Sequence, residues 1–489
     1  MRTMLAKWRN GLLPMSYAVM GVYLLSAPVL AGDMPSSPPL SVTLPWPTPS
    51  ANDQTWHLDM IGASVAYGRG FTGAGVIVTV ADSGVDVNHP ALTGKVLLQY
   101  SRNYMLTAPG QPYDPSQLTP TESIDRHGSH VSGIIAARQL SGVAAHGVAY
   151  DADLITIRVL ADHYTTAVRA GDFYPTYEAL NYFAALPNSM IYNASYGPGV
   201  PEKAPQQLVW NVYGVRDDPH TGAAARALEA GKIIVAANGN DREDNPAGAN
   251  PSGLALLPYL HPSHANLGVY NDGGDDTDLT KLQHLPGQII AVMSVGDDKR
   301  PAYYSNFCGV TASWCVTAPG GDLTNNRGII STVPYSTYMA LHGTSMAAPV
   351  VSGALAVLVQ ANPGYNAQDL AHLLFSTTED LGEPGIDKVY GQGLIKLDRA
   401  TDGPTSLAAD YTKTVAAGAT EYWSRPLLTS GGFTKDGDGI LTISGRTDTA
   451  GHVFAAGGTL AVDGTLTVGQ YGLSVGQAAT LAGFGTING

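Results

Sequence analysis

GVIVTVAD (residues 75–82) is an almost unbroken apolar, β-branched run that begins at a glycine and ends on a carboxylate. A strand with one face in water alternates apolar and polar side chains. A strand covered on both faces does not, and such strands belong to parallel sheets with helices on either side. The same texture returns in DLITIRVL (153–160), NSMIYNASYG (188–197), KIIVAAN (232–238) and GQIIAVMSVG (287–296). Helical stretches separate or follow them: GSHVSGIIAARQL (128–140), TGAAARALEAG (221–231), SMAAPVVSGALAVLVQANP (345–363) and NAQDLAHLLFST (366–377). Alternation of this kind from Asn52 to Arg399 predicts an α/β domain with a mainly parallel sheet. Ligands bind such sheets beyond the carboxyl ends of the strands, which makes Asp82 a candidate site residue.

The totals bound the rest. A chain of 489 residues has room for two or three domains. Only 13% of it is charged, and 26 Lys+Arg against 40 Asp+Glu leave a net charge of −14. That balance argues against nucleic acid or anionic lipid as partner, since both select a basic face. Arg2, Lys7 and Arg9 precede the apolar run Tyr17–Leu25, and Val29-Leu30-Ala31 offers small residues for cleavage. Residues 1–31 therefore read as a signal peptide. An uncleaved anchor over 11–31 is the competing reading, which Pro14 and Pro28 weaken. No later segment reads as a membrane helix. Residues 32–51, rich in Pro and Ser, read as a linker. The two cysteines, Cys308 and Cys315, either form a disulfide, which export would favour, or stay as buried thiols. They are too few for a metal centre.

The texture changes towards the end. Residues 404–430 read as a linker and 431–489 as a Gly-rich β-repeat, as in GGTLAVDGTLTVGQYGLSVGQAATLAGFGTING (457–489). Short strands broken by glycine and Asp-Gly predict a β-helix or β-solenoid, with an ordinary antiparallel β-domain as the alternative. The pattern stops at Gly489 without a capping segment, so the repeat reads as incomplete.

Taken singly, Asp82 reads as a turn residue, His127 as a loop residue and Ser345 as a helix cap. Their settings change that. VADSGVDVNHPAL (80–92), DRHGSHVSGIIAA (125–137) and HGTSMAAPVVSGALAVL (342–358) resemble the three motifs of the subtilisin-like serine proteases, in that family's Asp–His–Ser order. IIVAANGN (233–240) and YGQGLIKLDRA (390–400) extend the resemblance across residues 52–403.

The resemblance implies a three-layer sandwich and peptide-bond hydrolysis through an acyl-enzyme, with protein or peptide substrates. Ser345 would be the nucleophile, His127 its base and Asp82 the group that orients and stabilises the imidazolium. Asn240 and the Ser345 N–H would form the oxyanion hole. Ser195, Tyr196 and Gly197 would pair with substrate backbone on an edge strand. Ala237, Asn238 and Gly239 would line the pocket for the residue before the cut, with Asn238 in place of a small apolar residue. His130 reads as structural, because a metal pair with His127 lacks a third ligand. His89 also reads as structural, and His342 as a residue at the rim.

No cofactor is required by this chemistry. The family's usual calcium aspartate is replaced by Ala91, which leaves NDGGDDTD (271–278) as the candidate calcium loop. Residues 241–288 read as an insertion beside the site. The interval between residues 32 and 52 is too short for a folded propeptide. Together with the β-repeat, this resembles a monomeric autotransporter passenger on the surface of a Gram-negative bacterium or released from it. The translocator barrel that would carry it through the outer membrane does not occur in this sequence. Two further readings stand beside exported proteolysis: adhesion through the β-repeat, and self-cleavage within 404–430.

Overall fold

The computed structural model describes residues 50–104, 126–160, 174–197, 208–209, 220–243, 250–259, 269–270, 287–325, 327–363, 365–403, 407 and 411–489. The expected signal peptide, the candidate calcium loop and most of the 241–288 insertion lie outside them.

Seven parallel strands form the central sheet. They are β1 (Ile77–Asp82), β2 (Arg102–Asn103), β3 (Asp153–Arg158), β4 (Ile191–Ala194), β6 (Ile233–Ala237), β8 (Ile289–Val295) and β9 (Cys315–Pro319). Their order is β2-β3-β1-β4-β6-β8-β9. Between them β5 (Leu208–Val209) pairs with β7 (Val269–Tyr270) as a separate ladder. The chain places β3 on one side of β1 and β4 on the other. That reversal opens a crevice at the carboxyl end of β1, where Asp82 stands.

The helices are α1 (Ala51–Met60), α2 (Ala63–Gly68), α3 (Arg126–Ala136), α4 (Tyr174–Ala185), α5 (His220–Glu229), α6 (Thr344–Ala361), α7 (Ala367–Ser376) and α8 (Leu397–Ala400). Side-chain alternation along the strands feeds two cores. In β6, Ile233, Val235 and Ala237 join Val131, Ile134 and Ile135 of α3 and the apolar face of α6. Ile234 and Ala236 face Leu180 and Phe183 of α4 and Leu228 of α5. This is the three-layer α/β arrangement expected from the sequence. α6 is, against that reading, long and apolar enough to span a membrane by composition, but it is the buried core helix of the sheet.

An antiparallel hairpin, β10 (Ile329–Val333) with β11 (Thr337–Leu341), leads into α6. After α8 the chain becomes a parallel solenoid. β12 (Tyr411–Thr414), β13 (Thr420–Trp423) and β14 (Leu427–Thr429) form its first turn. β15 (Phe433–Asp436), β16 (Ile440–Ile443) and β17 (Arg446–Thr449) stack on them in register. β18 (Val453–Val462) with β19 (Thr465–Val468) adds the third turn, and β20 (Leu473–Ala482) with β21 (Thr486–Asn488) the fourth. Trp423, Phe433, Leu441, Ile443, Leu460 and Leu466 fill the axis.

The solenoid thus begins within the stretch read from sequence as a linker, 404–430. The reason is electrostatic. The first turn puts Lys413 and Glu421 inside, where they neutralise each other at 2.5 Å. In sequence those two charges mask the inward-facing pattern that Trp423 and Leu427 complete.

Candidate active site

Asp82 is almost fully buried. Its Oδ1 accepts the Ser83 N–H (2.7 Å) and faces His127 Nδ1 at 2.7 Å. A carboxylate can only accept, so Nδ1 carries the proton, and the lone pair of the neutral form of the ring is then on Nε2. Ser83 Oγ accepts the Gly128 N–H (3.0 Å) and ties the end of β1 to the first turn of α3. Only glycine fits at 128, because a Cβ there would stand 2.0 Å from Gly84 O.

His130, one turn along α3, is fully buried. Its Nε2 lies 3.0 Å from both Ile329 O and Met339 O, so it donates to the two strands of the hairpin. Burial pushes its pKa down to about 3. A neutral ring bonded to two carbonyls is a strut between α3 and the hairpin. His89 does similar work: its Nδ1 accepts the Ala91 N–H and its Nε2 meets Thr337 O, both at 3.1 Å.

Ser345 is the second residue of α6, whose N-cap Gly343 has a φ of +150° that favours glycine. Ser345 Oγ donates to Ser195 O (3.2 Å), and Ser195 Oγ donates back to Ser345 O (2.9 Å). Asn193 steadies this exchange through Nδ2 to Ser195 Oγ, and Ser352 Oγ donates to Asn193 Oδ1. Asn240 Oδ1 accepts both the N–H and the hydroxyl of Thr344, each at 2.9 Å. That fixes which way the amide faces. Asn240 Nδ2 and the Ser345 N both lie 3.6 Å from the point a Cβ on Gly343 would occupy. Two nitrogens that carry N–H groups thus border one small volume at a helix N-terminus, with Met346 Sδ at the same 3.6 Å, and groups of that kind can hold a developing negative charge.

His342 is half-buried against Tyr303 and Tyr304, with Nε2 3.4 Å from Tyr303 Oη, and burial lowers its pKa.

Two site expectations need correction. Asn238 does not face the pocket. It is fully buried, with Nδ2 donating to Phe307 O (3.2 Å) and lying 3.5 Å from Cys315 Sγ. Alternation explains this, since Ala237 faces one core and the next residue must turn to the other, where the cysteines sit. Ser195, Tyr196 and Gly197 are not an edge of the central sheet either. They leave the end of β4, which is flanked by β1 and β6, and Tyr196 is held by a 2.9 Å bond between its hydroxyl and that of Tyr192. The cysteines are joined as a disulfide, Cys308–Cys315.

Thr344, Ser83 and Asn306 were not singled out from sequence. Thr344 alone carried a local signal, as the residue between an obligatory glycine and the serine. Ala91 is fully buried in the apolar core.

Residues 73–393 match the model of the subtilase family, peptidase S8. An extracellular serine protease of Serratia marcescens is 27% identical over 90% of this chain and 46% of its own length. Serotype-specific antigen 1 of Mannheimia haemolytica is 28% identical over 79% of this chain and 44% of its own. Subtilisin Savinase of Lederbergia lenta is 28% identical over 72% of this chain and all of its own. The chain thus spans about half the length of the first two relatives.

Proposed function

Because the chain belongs to the subtilase family, we propose that it is a serine endopeptidase whose triad is Asp82, His127 and Ser345. His127 Nε2 takes the Ser345 hydroxyl proton as Oγ bonds to the peptide carbonyl carbon. The oxygen of that carbonyl gains the negative charge and enters the volume that Asn240 Nδ2 and the Ser345 N–H share. The C–N bond then breaks, with His127 returning the proton to the departing amine. Water repeats the sequence on the acyl-enzyme. The single observation that carries this reading is the convergence of three things at one crevice. These are the 2.7 Å Asp82–His127 bond, Ser345 in the first turn of α6, and the Asn240 Nδ2 and Ser345 N bordering one small volume.

The 3.2 Å bond from Ser345 Oγ to Ser195 O is long, and rotation about χ1 toward His127 replaces it when substrate binds. Ser195–Gly197 and Gly239 flank the crevice, and substrate backbone lies between them. Calcium enters no step.

Export through the 1–31 signal peptide, action outside the cell and an autotransporter setting complete the proposal. The extracellular relatives support the first two, and the solenoid supports the third.

The test is a fluorophosphonate probe, which labels an activated serine. Labelling of the folded wild-type chain and its loss in Ser345→Ala is the expected result. Absence of labelling in folded wild type would sink the reading.

A further inference from the structure

The turn that carries Asn240 is gripped by one buried side chain. Asn306 is fully buried, and its backbone N–H donates to Gly239 O (3.0 Å). Its Nδ2 donates to Asn238 O (3.1 Å) and to Asp241 Oδ2 (2.9 Å), and its Oδ1 accepts the Asp241 N–H (3.0 Å). Residues on both sides of Asn240 are thus tied to one amide. The fit leaves no slack: a Cβ on Gly239, already at φ +104°, would stand 2.7 Å from Asn306 Nδ2. From the opposite side the Gly239 N–H donates to Thr344 Oγ1 (3.2 Å), which itself donates to Asn240 Oδ1.

The gripping residue is itself braced. Asn306 lies two residues before Cys308, whose disulfide to Cys315 closes the loop at the start of β9. Asn238 reaches back from the gripped turn to Phe307 O and to Cys315 Sγ, so disulfide, loop and turn form one packed unit.

We propose that Asn306, braced by the Cys308–Cys315 disulfide, is a positioning residue that holds the 238–241 turn so that Asn240 Nδ2 meets the developing oxyanion. This rests on the reading of Asn240 and Ser345 given above. Asn306 touches no substrate and acts through Asn240. A misplacement of about 1 Å at such a donor costs on the order of 100-fold in rate. Because the donor works on the transition state, the loss falls on kcat.

The experiment is a double-mutant cycle on the purified full chain, with a peptide p-nitroanilide that the wild type cleaves. Asn306→Ala is expected to lower kcat about 10–100-fold and to move KM less than about 3-fold. In an Asn240→Ala background the same change is expected to lower kcat less than about 3-fold, since the group it positions is gone. The double variant Cys308→Ala/Cys315→Ala is expected to show a weaker form of this pattern, about 3–10-fold with Asn240 present and none without it. It decides the matter if Asn306→Ala does not fold. Equal losses in both backgrounds, or an unchanged kcat with Asn240 present, overturn the positioning role alone. Full activity in Ser345→Ala overturns the protease reading and this proposal with it.

Discussion

Asp82 and Lys435 are both buried ionisable side chains on parallel strands, and they are satisfied in opposite ways. In the sheet domain, Asp82 takes one local N–H and spends its other contact on His127, a ring that still reaches the crevice. In the solenoid, Lys435 Nζ is closed in by three carbonyls, Gly437 O (2.5 Å), Gly439 O (2.7 Å) and Gly457 O (2.8 Å). Lys413 and Glu421 form a buried ion pair of their own, 2.5 Å apart. Polar burial at the ends of the sheet strands points at a place where a substrate can lie. Polar burial in the solenoid is spent inside it, within the first turn at Lys413–Glu421 and from the second turn to the third at Lys435–Gly457. The lesson is that burial of a charge does not mark a site; what its partners leave exposed does.

The sharpest way to break this comparison is Asp82→Asn. An amide can present an N–H to His127 Nδ1, and the ring then carries its proton on the nitrogen that should accept from Ser345. kcat is expected to fall about 10,000-fold while the far-ultraviolet circular dichroism is unchanged. A fall of less than 10-fold would mean that the buried aspartate is as structural as the solenoid's lysine.

Lys435→Met tests the other side. It leaves three buried carbonyls short of a donor, at a cost of about 3 kcal/mol. The loss should appear as faster hydrogen exchange in residues 433–462. Exchange in β6 and kcat are expected to stay at wild-type values. Equal acceleration in β6 would show that the two regions do not differ as argued.

The same contrast decides what could be read in the sequence. The sheet domain was legible because its chemistry demands particular residue types next to particular strand ends, as at Asp82, and glycine where backbones touch, as at Gly128, or where φ is positive, as at Gly343. The grip on the 238–241 turn was not, because Asn306 meets it from more than sixty residues away in sequence and nothing in SNFCG announces the contact. The direction of Asn238 was within reach, since alternation from Ala236 and Ala237 turns it to the cysteine side. The first solenoid turn was hidden by Lys413 and Glu421, whose pairing exists only once the turn has closed. The grip of Asn306 and the Lys413–Glu421 pair both depend on partners that meet only in the folded chain, which no local pattern records.

The smallest expected effect concerns a polar group in the sheet domain that serves neither end. His57 on α1 is buried, and neither ring nitrogen has a hydrogen-bond partner among the described residues. Burial pushes its pKa from the ordinary 6.5 down to about 3. In the unfolded chain His57 binds a proton below about pH 6.5, whereas in the folded chain it does not until about pH 3. Its contribution to stability is therefore present above 6.5 and is lost as the pH falls through that window. The slope is up to about 1.4 kcal/mol per pH unit for one proton. His130, with the same shift, adds a similar limb, but it is bonded to the hairpin and cannot be removed cleanly. His57→Leu removes only the titration. Urea unfolding at pH 8 is expected to change by less than about 1 kcal/mol, while the loss of stability per unit between pH 6 and 4 falls by about 1.4 kcal/mol. An unchanged acid slope would mean that His57 gains a proton as readily folded as unfolded, and that the interior of this domain tolerates unpartnered charge as the solenoid axis does not.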